Sequence, residues 1–241
     1  MKRNRIRLAL AAGFVLVGAG LFASPLAVVG RSGPVFNPAN FNGGPVDNPW
    51  FPLTPGTTLV YKGIKDGKPG TDIFTVQHRR QMVGGVSAVV VEDTTVLAGR
   101  VSEHTFDYYA QDIHGNVWYL GEKPAEFDRH GNVTSTEGTW STGVDGAQPG
   151  IFLPAHPDVG DTFRQEYYAG HAEDHFAITT MNASVSTPYG TFNHAMRTRE
   201  WTPLEPGTRD AKYYVKGIGE VAEIAVVGPK EAFRLVQVIT Q

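Results

Sequence analysis

The sequence contains no cysteine, and this absence removes several kinds of chemistry at once. Thiol nucleophiles, disulfides, iron–sulfur clusters and thiolate zinc sites all require cysteine. A bacterial lipid anchor also requires a cysteine at the cleavage position, so that form of attachment is excluded. The folded chain must therefore be held by its core without covalent cross-links.

Several catalytic signatures are also missing. The chain has no Gly-x-Ser-x-Gly elbow, phosphate-binding loop, dinucleotide fingerprint or His-Glu-x-x-His helix. No stretch after residue 30 keeps a helical period for twelve residues. The sequence therefore assigns no catalytic residue, and it leaves open whether the protein is an enzyme.

Residues 1–30 are interpreted as a bacterial export signal. Four basic residues in the first seven positions precede an uncharged apolar stretch, 8–22. A cut after Ala27 would leave a proline where signal peptidase prefers a small residue, and about 22 apolar residues could also span a bilayer. An uncleaved N-terminal anchor is therefore the alternative to a signal peptide. Both interpretations predict a secreted or cell-envelope protein.

The chain that follows Gly30 is acidic. It carries 17 basic and 24 acidic residues, a formal net charge of −7. Nucleic-acid-binding proteins present a basic face that neutralises phosphates, so no nucleic-acid partner is expected. The balance suits a cation, a neutral sugar or an apolar ligand, although a local basic groove is compatible with a negative total.

Residues 31–50 are predicted to form an extended arm. This segment is rich in proline, glycine and asparagine, which excludes regular structure. It also contains Phe36, Phe41 and Trp50, and a solvated tether rarely carries so many aromatic residues. We therefore expect the arm to pack against the single domain predicted for residues 51–241.

The domain at 51–241 has a β pattern. Short runs rich in valine, threonine and tyrosine alternate with glycine, proline and aspartate, which predicts closely spaced strands. The predicted strands cover 59–61, 71–78, 87–91, 94–97, 105–110, 116–120, 162–168, 175–180, 184–187, 195–201, 211–215, 220–226 and 233–238. The predicted fold class is all-β and mainly antiparallel, as a single curled sheet, half-barrel, barrel or sandwich.

One six-residue pattern, Asp-x-His-Gly-Asn-Val, occurs at 112–117 and again at 128–133. Aspartate accepts local backbone hydrogen bonds and glycine supplies a positive φ, so each copy predicts a turn. Turns sixteen residues apart suggest consecutive hairpins. This spacing predicts that His114 and His130 lie at the same end of the sheet.

Four segments resemble a family of uncharacterised exported bacterial β-rich proteins. They are NPWFPLTPGT at 48–57, YAQDIHGNVWYLGE at 109–122, VDGAQPGI at 144–151, and 201–221, which contains KYY and GIGEV. The resemblance implies export and a β-rich fold, and it supplies no catalytic residue. The ending Tyr-Tyr-x-x-Gly-x-Gly-x-Val is also similar to curled-sheet envelope proteins that hold a lipid or other apolar ligand.

The first candidate site lies on the predicted strand 162–168. Alternate residues of a strand share a face, which places Arg164, Glu166 and Tyr168 together. Charged side chains facing a barrel interior are costly unless they are paired or bind a polar group, so this face would mark a ligand cavity. Tyr109 and Trp118 complete the predicted ligand-binding set.

The second candidate site is the segment 171–175. If this segment is extended, His171, Glu173 and His175 share a face and form a ligand set suited to iron, zinc or manganese. Alternate side chains of a strand lie about 6–7 Å apart, so a fourth ligand would have to come from elsewhere. Gly170 favours a turn that would break the alternation. A divalent metal is thus the candidate cofactor, and a solvated hairpin tip is the competing interpretation.

These features favour an exported β-barrel-like protein that binds a small or apolar ligand. One alternative is a carbohydrate-active enzyme, a glycan hydrolase or lyase that uses Glu, Tyr, His and Arg side chains in a groove. Another alternative is a structural or partner-binding envelope protein. The expected partner is a small molecule or glycan, and a membrane would be contacted only through an uncleaved N-terminal segment.

Overall fold

The computed structural model describes residues 33–240, so the predicted signal or anchor at 1–30 lies outside the described residues. A short 3₁₀ helix, Pro38–Asn40, precedes a series of strands. The strands are β1 (Thr58–Lys65), β2 (Lys68–Val83), β3 (Val86–Leu97), β4 (Arg100–Gln111), β5 (Val117–Phe127), β6 (Val133–Ser135), β7 (Trp140–Ser141), β8 (Gln148–Leu153), β9 (Thr162–Arg164), β10 (Glu166–Tyr167), β11 (His175–Ser186), β12 (Thr191–Trp201), β13 (Arg209–Val215), β14 (Gly219–Val227) and β15 (Ala232–Ile239). Within this part of the chain, no helix has the length and apolar character needed to cross a bilayer.

All fifteen strands belong to one antiparallel sheet that curls into a nearly closed barrel. The strand order is β10-β8-β5-β4-β3-β2-β1-β15-β14-β13-β12-β11-β9, with β6 and β7 paired to β5. Most neighbours in this order are also neighbours in sequence, because short turns connect antiparallel strands directly. The predicted all-β, mainly antiparallel class is confirmed.

The two Asp-x-His-Gly-Asn-Val turns lie at opposite ends of β5. The first joins β4 to β5 and the second joins β5 to β6. The prediction that His114 and His130 share one end of the sheet is therefore wrong. Sixteen residues accommodate a single strand and a turn, so two successive turns fall at opposite ends.

One bent segment closes the barrel. β9 pairs with β11, with Arg164 opposite His175, whereas β10 pairs with β8 at the other edge, with Glu166 opposite Pro149. Gln165 forms the bend, and its backbone N–H donates to the carbonyl oxygen of Asp174 at 2.7 Å. The single strand predicted at 162–168 is thus split, because its two halves complete different edges of the sheet.

The barrel interior has an aromatic half and a charged half. Near the β4–β5 turn, Phe51, Tyr109, Tyr119 and Phe152 pack with ring centroids 4.5–6.1 Å apart. Toward the β3–β4 turn the buried positions are mainly acidic. This charged half contains Lys65, Asp72, Asp93, Glu103, Asp107, Glu122, Glu126, Glu200, Lys212 and Glu223, each at most 9% exposed.

The described part of the arm packs on the outer face of the sheet. Trp118 alternates on β5 with Tyr119, which lies in the interior, so its indole ring points outward. The rings of Phe36 and Phe41 pack against Trp118 at centroid distances of 5.4 Å and 6.2 Å. Trp50, at the other end of the arm, is buried in the main core.

Candidate functional site

A surface cleft of about 720 Å³ lies where the bent segment meets β8. We call it the seam cleft. Its walls come from the arm and from strands β5, β8, β9 and β11, and they include Phe36, Trp118, Gln148, Phe163, Arg164 and His175. Ligand sites in proteins commonly measure about 300–1,000 Å³ and combine an apolar lining with few polar groups. The seam cleft lies within this size range, and its lining is about equally polar and apolar.

The apolar part of the seam cleft is a cluster of rings. Phe36 meets Trp118 edge to face, and Phe163 packs against the buried ring of Phe176 with a centroid distance of 5.5 Å. The Trp118 indole N–H donates to the Asp112 carboxylate at 2.9 Å, which fixes the orientation of the ring. Edge-to-face pairs of this kind add about 0.5–1.5 kcal/mol beyond their buried area. The aromatic wall is therefore preorganised.

The polar part of the seam cleft has a permanent cation, Arg164. The guanidinium of Arg164 donates to Gln148 Oε1 at 2.9 Å and lies over the ring of Tyr167, 4.5 Å from its centroid. These two contacts use part of its donor set and leave the remaining N–H groups available to a ligand. None of the described residues that line this cleft carries a carboxylate.

His175 contributes a neutral imidazole to the same wall. Its Nδ1–H donates to the backbone carbonyl of Glu173 at 2.9 Å, and its ring stacks on Trp201. Burial lowers the pKa of His175 below its ordinary value, so the ring is uncharged at neutral pH. Its Nε2 is then an acceptor beside the cationic Arg164.

The five predicted ligand-binding residues fall into three places. Arg164 and Trp118 both line the seam cleft. Tyr109 and Glu166 are buried in the barrel interior, and Tyr168 stacks on His171 at 4.5 Å outside the cleft. The shared face predicted for Arg164, Glu166 and Tyr168 is not formed, because the bend at Gln165 reverses the alternation.

The three predicted metal ligands contact different partners. His171 Nδ1 lies 2.8 Å from Glu137 Oε1, and Glu173 Oε1 accepts the backbone N–H of Gly170 at 2.8 Å. Gly170 has φ +77°, so residues 168–172 form a turn before His175 begins β11. Between residues 33 and 240, no three His, Cys, Asp or Glu side chains are placed to hold a metal ion. The metal set and its divalent cofactor therefore stay a prediction from the sequence pattern.

The first Asp-x-His-Gly-Asn-Val turn supports the seam cleft through Asp112. Its carboxylate accepts the backbone N–H groups of His114 and Asn116 and the indole N–H of Trp118, each at 2.9 Å. Asp128 in the second turn makes the same local backbone bonds at the surface, without a tryptophan partner. The repeat thus provides a natural matched pair.

We expect Asp112→Ala to lower the free energy of unfolding by about 2–3 kcal/mol, because it leaves a buried indole N–H and two turn N–H groups without an acceptor. Urea unfolding followed by tryptophan fluorescence measures this. Asp128→Ala serves as the control and should change stability little. Equal effects in the two turns would contradict the role given to the Trp118 bond.

The charged half of the barrel was missed by sequence reasoning. Glu103, Thr105 and Asp107 alternate along β4 and lead to Tyr109, which lies in the aromatic half. Period-two alternation of polar residues that continues an aromatic inward face is the signal that would have found them. The residues that face β4 in the charged half, such as Lys212, lie on strands far along the chain, and no pattern in the sequence indicates that they meet β4.

Lys212 lies among three glutamates in the charged half, of which Glu200 and Glu223 are buried and Glu220 is nearly so. Its Nζ is 3.4 Å from Glu200, 3.8 Å from Glu220 and 3.9 Å from Glu223. Burial acts to lower the pKa of Lys212, but the three glutamates raise it well above its ordinary value. Burial raises the pKa of Glu220 to about 8, and the nearby Lys212 acts to lower it.

No protein-family model and no curated protein matches this chain. A solved structure of a candidate exported protein with a YmcC-like fold from Bacteroides fragilis is similar, with a TM-score of 0.46 and 17% identity over 79% of this chain and 99% of that one. A candidate lipoprotein from Parabacteroides distasonis is similar with a TM-score of 0.35 and 12% identity over 79% and 98% of the two chains. At these values the likeness carries no statement about ligand or activity.

Proposed function

We propose that this chain is an exported, barrel-like binding protein whose seam cleft takes a small anionic ligand with an apolar or aromatic body. One observation carries the proposal: a cleft of about 720 Å³ combines an aromatic wall with the guanidinium of Arg164 and contains no carboxylate among its described lining residues. Export rests on the basic head and apolar stretch of residues 1–30.

The chemistry of the cleft favours an anion. Arginine presents a planar fork of N–H donors that matches carboxylate, sulfonate and phosphate oxygens. The adjacent neutral His175 adds no repulsion. The half-buried rings of Phe36 and Phe163 offer apolar surface to the body of the ligand, and the buried indole of Trp118 packs behind Phe36. The negative net charge of the chain does not oppose this, because Arg164 acts locally within a screening length of about 10 Å.

A glycan hydrolase is less well supported. Such enzymes place two carboxylates about 5–10 Å apart across a sugar. The buried aspartates Asp72, Asp93 and Asp107 line an interior cavity of about 30 Å³, which is too small for a sugar ring. The alternatives of a carbohydrate-active enzyme and of a structural envelope protein therefore become outcomes of the binding experiment.

The test uses two fluorescent probes of similar shape and different charge. We expect 8-anilinonaphthalene-1-sulfonate to bind the folded protein saturably at one site, and Arg164→Gln to weaken it about tenfold, since a charge-assisted hydrogen bond contributes about 1.5 kcal/mol or more. The uncharged N-phenyl-1-naphthylamine should bind the wild type and the Arg164→Gln variant equally.

Arg129→Gln is the matched control, because Arg129 is an exposed arginine in the β5–β6 turn. It should leave both probe affinities unchanged. Phe36→Ala should weaken both probes, since it removes part of the aromatic wall. Absence of saturable binding, or identical affinities of the sulfonate for the Arg164→Gln and Arg129→Gln variants, would overturn the proposal in favour of the structural or enzymatic alternatives.

A further inference from the structure

A small cavity separates the aromatic half of the barrel from the charged half. It measures about 30 Å³, and we call it the central cavity. Its polar wall consists of Tyr61, Asp72, Asp93, Asp107, Lys212 and Glu220. One buried water needs about 10–15 Å³, so the central cavity has room for about two water molecules.

Two aspartates present unpartnered oxygens at the central cavity. Asp107 is fully buried and Asp93 is 7% exposed. Asp107 Oδ1 accepts the hydroxyl of Tyr119 at 2.5 Å, but neither Asp107 Oδ2 nor Asp93 Oδ1 has a partner within residues 33–240. A buried carboxylate oxygen is strongly disfavoured without a hydrogen bond, so these two atoms require water or a proton.

A pair of carboxyl groups lies beside them. Asp72 on β2 and Asp93 on β3 are hydrogen-bonded to each other, and Thr95 Oγ1 donates to Asp72 Oδ1 at 3.0 Å. Two carboxylates in contact cannot both be ionised away from water, and a hydrogen bond between them needs a proton on one.

Few cations face this pair. The neighbouring charged or titratable groups are Tyr61 and Lys65 from β1, Glu103 and Asp107 from β4, and Lys212 and Glu220 across the central cavity. Lys212 is already surrounded by three glutamates. Within residues 33–240, Lys65 is therefore the other cation near these three buried aspartates, and protons must neutralise the remaining negative charge.

We propose that the charged half of the barrel is a proton-binding site, in which the Asp72–Asp93 pair and Asp107, with water in the central cavity, hold protons at neutral pH. Loss of these protons at alkaline pH leaves like charges facing one another between β2, β3 and β4 and loosens this half of the barrel. The ligand is the proton itself, so this site is separate from the seam cleft.

The direction of the pH effect follows from the carboxyl groups. Burial raises the pKa of Asp72 to about 6 and that of Asp107 to about 7, and it raises the pKa of Asp93 well above its ordinary value. The unfolded chain releases the same protons near pH 4. The folded state therefore binds more protons from about pH 4 through pH 7, and above pH 7 for as long as Asp93 stays protonated. Stability falls as the pH rises through this range.

The experiment counts protons during folding. Refolding from urea at pH 7, in weak buffer with a pH indicator, should take up at least one proton per chain, and Asp93→Asn should take up about one fewer. Asp66→Asn is the matched control, because Asp66 lies in the exposed β1–β2 turn and asparagine tolerates its positive φ. It should leave the proton uptake unchanged.

Infrared spectroscopy of the wild-type chain with isotope-labelled aspartate tests the same site, because the label separates the aspartate carboxyl band from that of the protonated Glu220. The result therefore does not depend on whether Asp93→Asn folds. We expect the carbonyl band of protonated aspartate carboxyl groups in the folded protein at pH 7, and its loss on titration toward pH 9. Absence of this band at pH 7, or refolding without proton uptake, would overturn the proposal. Unchanged uptake in Asp93→Asn would also overturn the role of the pair.

Discussion

Replacement of Gly150 by alanine should lower the free energy of unfolding by about 3 kcal/mol or more. The added Cβ would lie 2.1 Å from the carbonyl oxygen of Arg164 and 2.6 Å from the carbonyl carbon and oxygen of Gln165. Real Cβ atoms do not approach backbone this closely, so β8 and the bent segment would have to separate. Gly150 is needed here for close approach of two backbones.

The clash cannot be relieved by a small movement of the bent segment. Arg164 is held by its pairing with His175 on β11, and Glu166 by its pairing with Pro149 on β8. Shifting Gln165 would break one of the two pairings that close the barrel. Urea unfolding measures the loss of stability, and limited proteolysis at 162–168 reports whether the closure opens locally.

Gly207→Ala is the control for Gly150→Ala. Nothing lies within 4 Å of the Cβ that alanine would add at Gly207. Its effect on the free energy of unfolding should stay within about 1 kcal/mol, because it alters chiefly the entropy of the unfolded chain. Equal stabilities of the two variants would contradict a tight closure at β8. Gly150→Ala should also weaken probe binding, since Gly150 lines the seam cleft.

Replacement of Lys212 by methionine should cost about 3–5 kcal/mol of stability at pH 8, because removing one partner leaves buried charges uncompensated. Methionine has a similar length, so the loss reports mainly the missing ammonium. Glu200, Glu220 and Glu223 would then face one another without the cation that lies 3.4–3.9 Å from them.

This cost should shrink on acidification. Burial raises the pKa of Glu220 to about 8 even beside Lys212, and loss of the lysine would raise it further. A carboxyl group with a raised folded pKa is protonated in the folded state at pH 5, so the charges of Glu220 and Glu223 are absent there. Free energies of unfolding at pH 5 and pH 8 give the difference.

Lys123→Met is the control for Lys212→Met. Lys123 is an exposed lysine on β5, and its replacement should change stability by less than about 0.5 kcal/mol at both pH values. If Lys212→Met lowers the free energy of unfolding equally at pH 5 and pH 8, the cause is the lost packing of the lysine side chain. The missing positive charge would then not explain the effect.

The alternation of residues along short segments predicted where most strands lie. It did not predict where most of them begin and end. The runs at 195–201 and 220–226 lie within β12 and β14. The runs at 175–180 and 184–187 proved to be one strand, β11, whose pairing with β12 shifts register three times. Such bulges depend on the partner strand, so a single segment carries no sign of them.

The candidate site was predicted only in part, because it too depends on contacts between segments that are distant in the sequence. Arg164 and Trp118 were expected to bind a ligand, and the fold brings both to the seam cleft. Phe163 and Phe36 were not expected there, because their proximity depends on the path of the arm across the outer face of β5. Glu166 points inward because Gln165 forms a bend in place of continuing the predicted strand. A shift of one residue in a strand reverses the face of every later side chain.

Composition and short-range alternation determined most of the strand content, the two Asp-x-His-Gly-Asn-Val turns and the lack of any thiol-based chemistry, because these depend on residues only a few positions apart. Barrel closure, the clustering of buried acids around Lys212 and the joining of arm, β5 and β9 in one cleft were decided by the tertiary structure. Each of these joins residues separated by tens of positions in the chain. Their pairing is set by which strand edges meet, and that choice reflects the packing of the whole sheet.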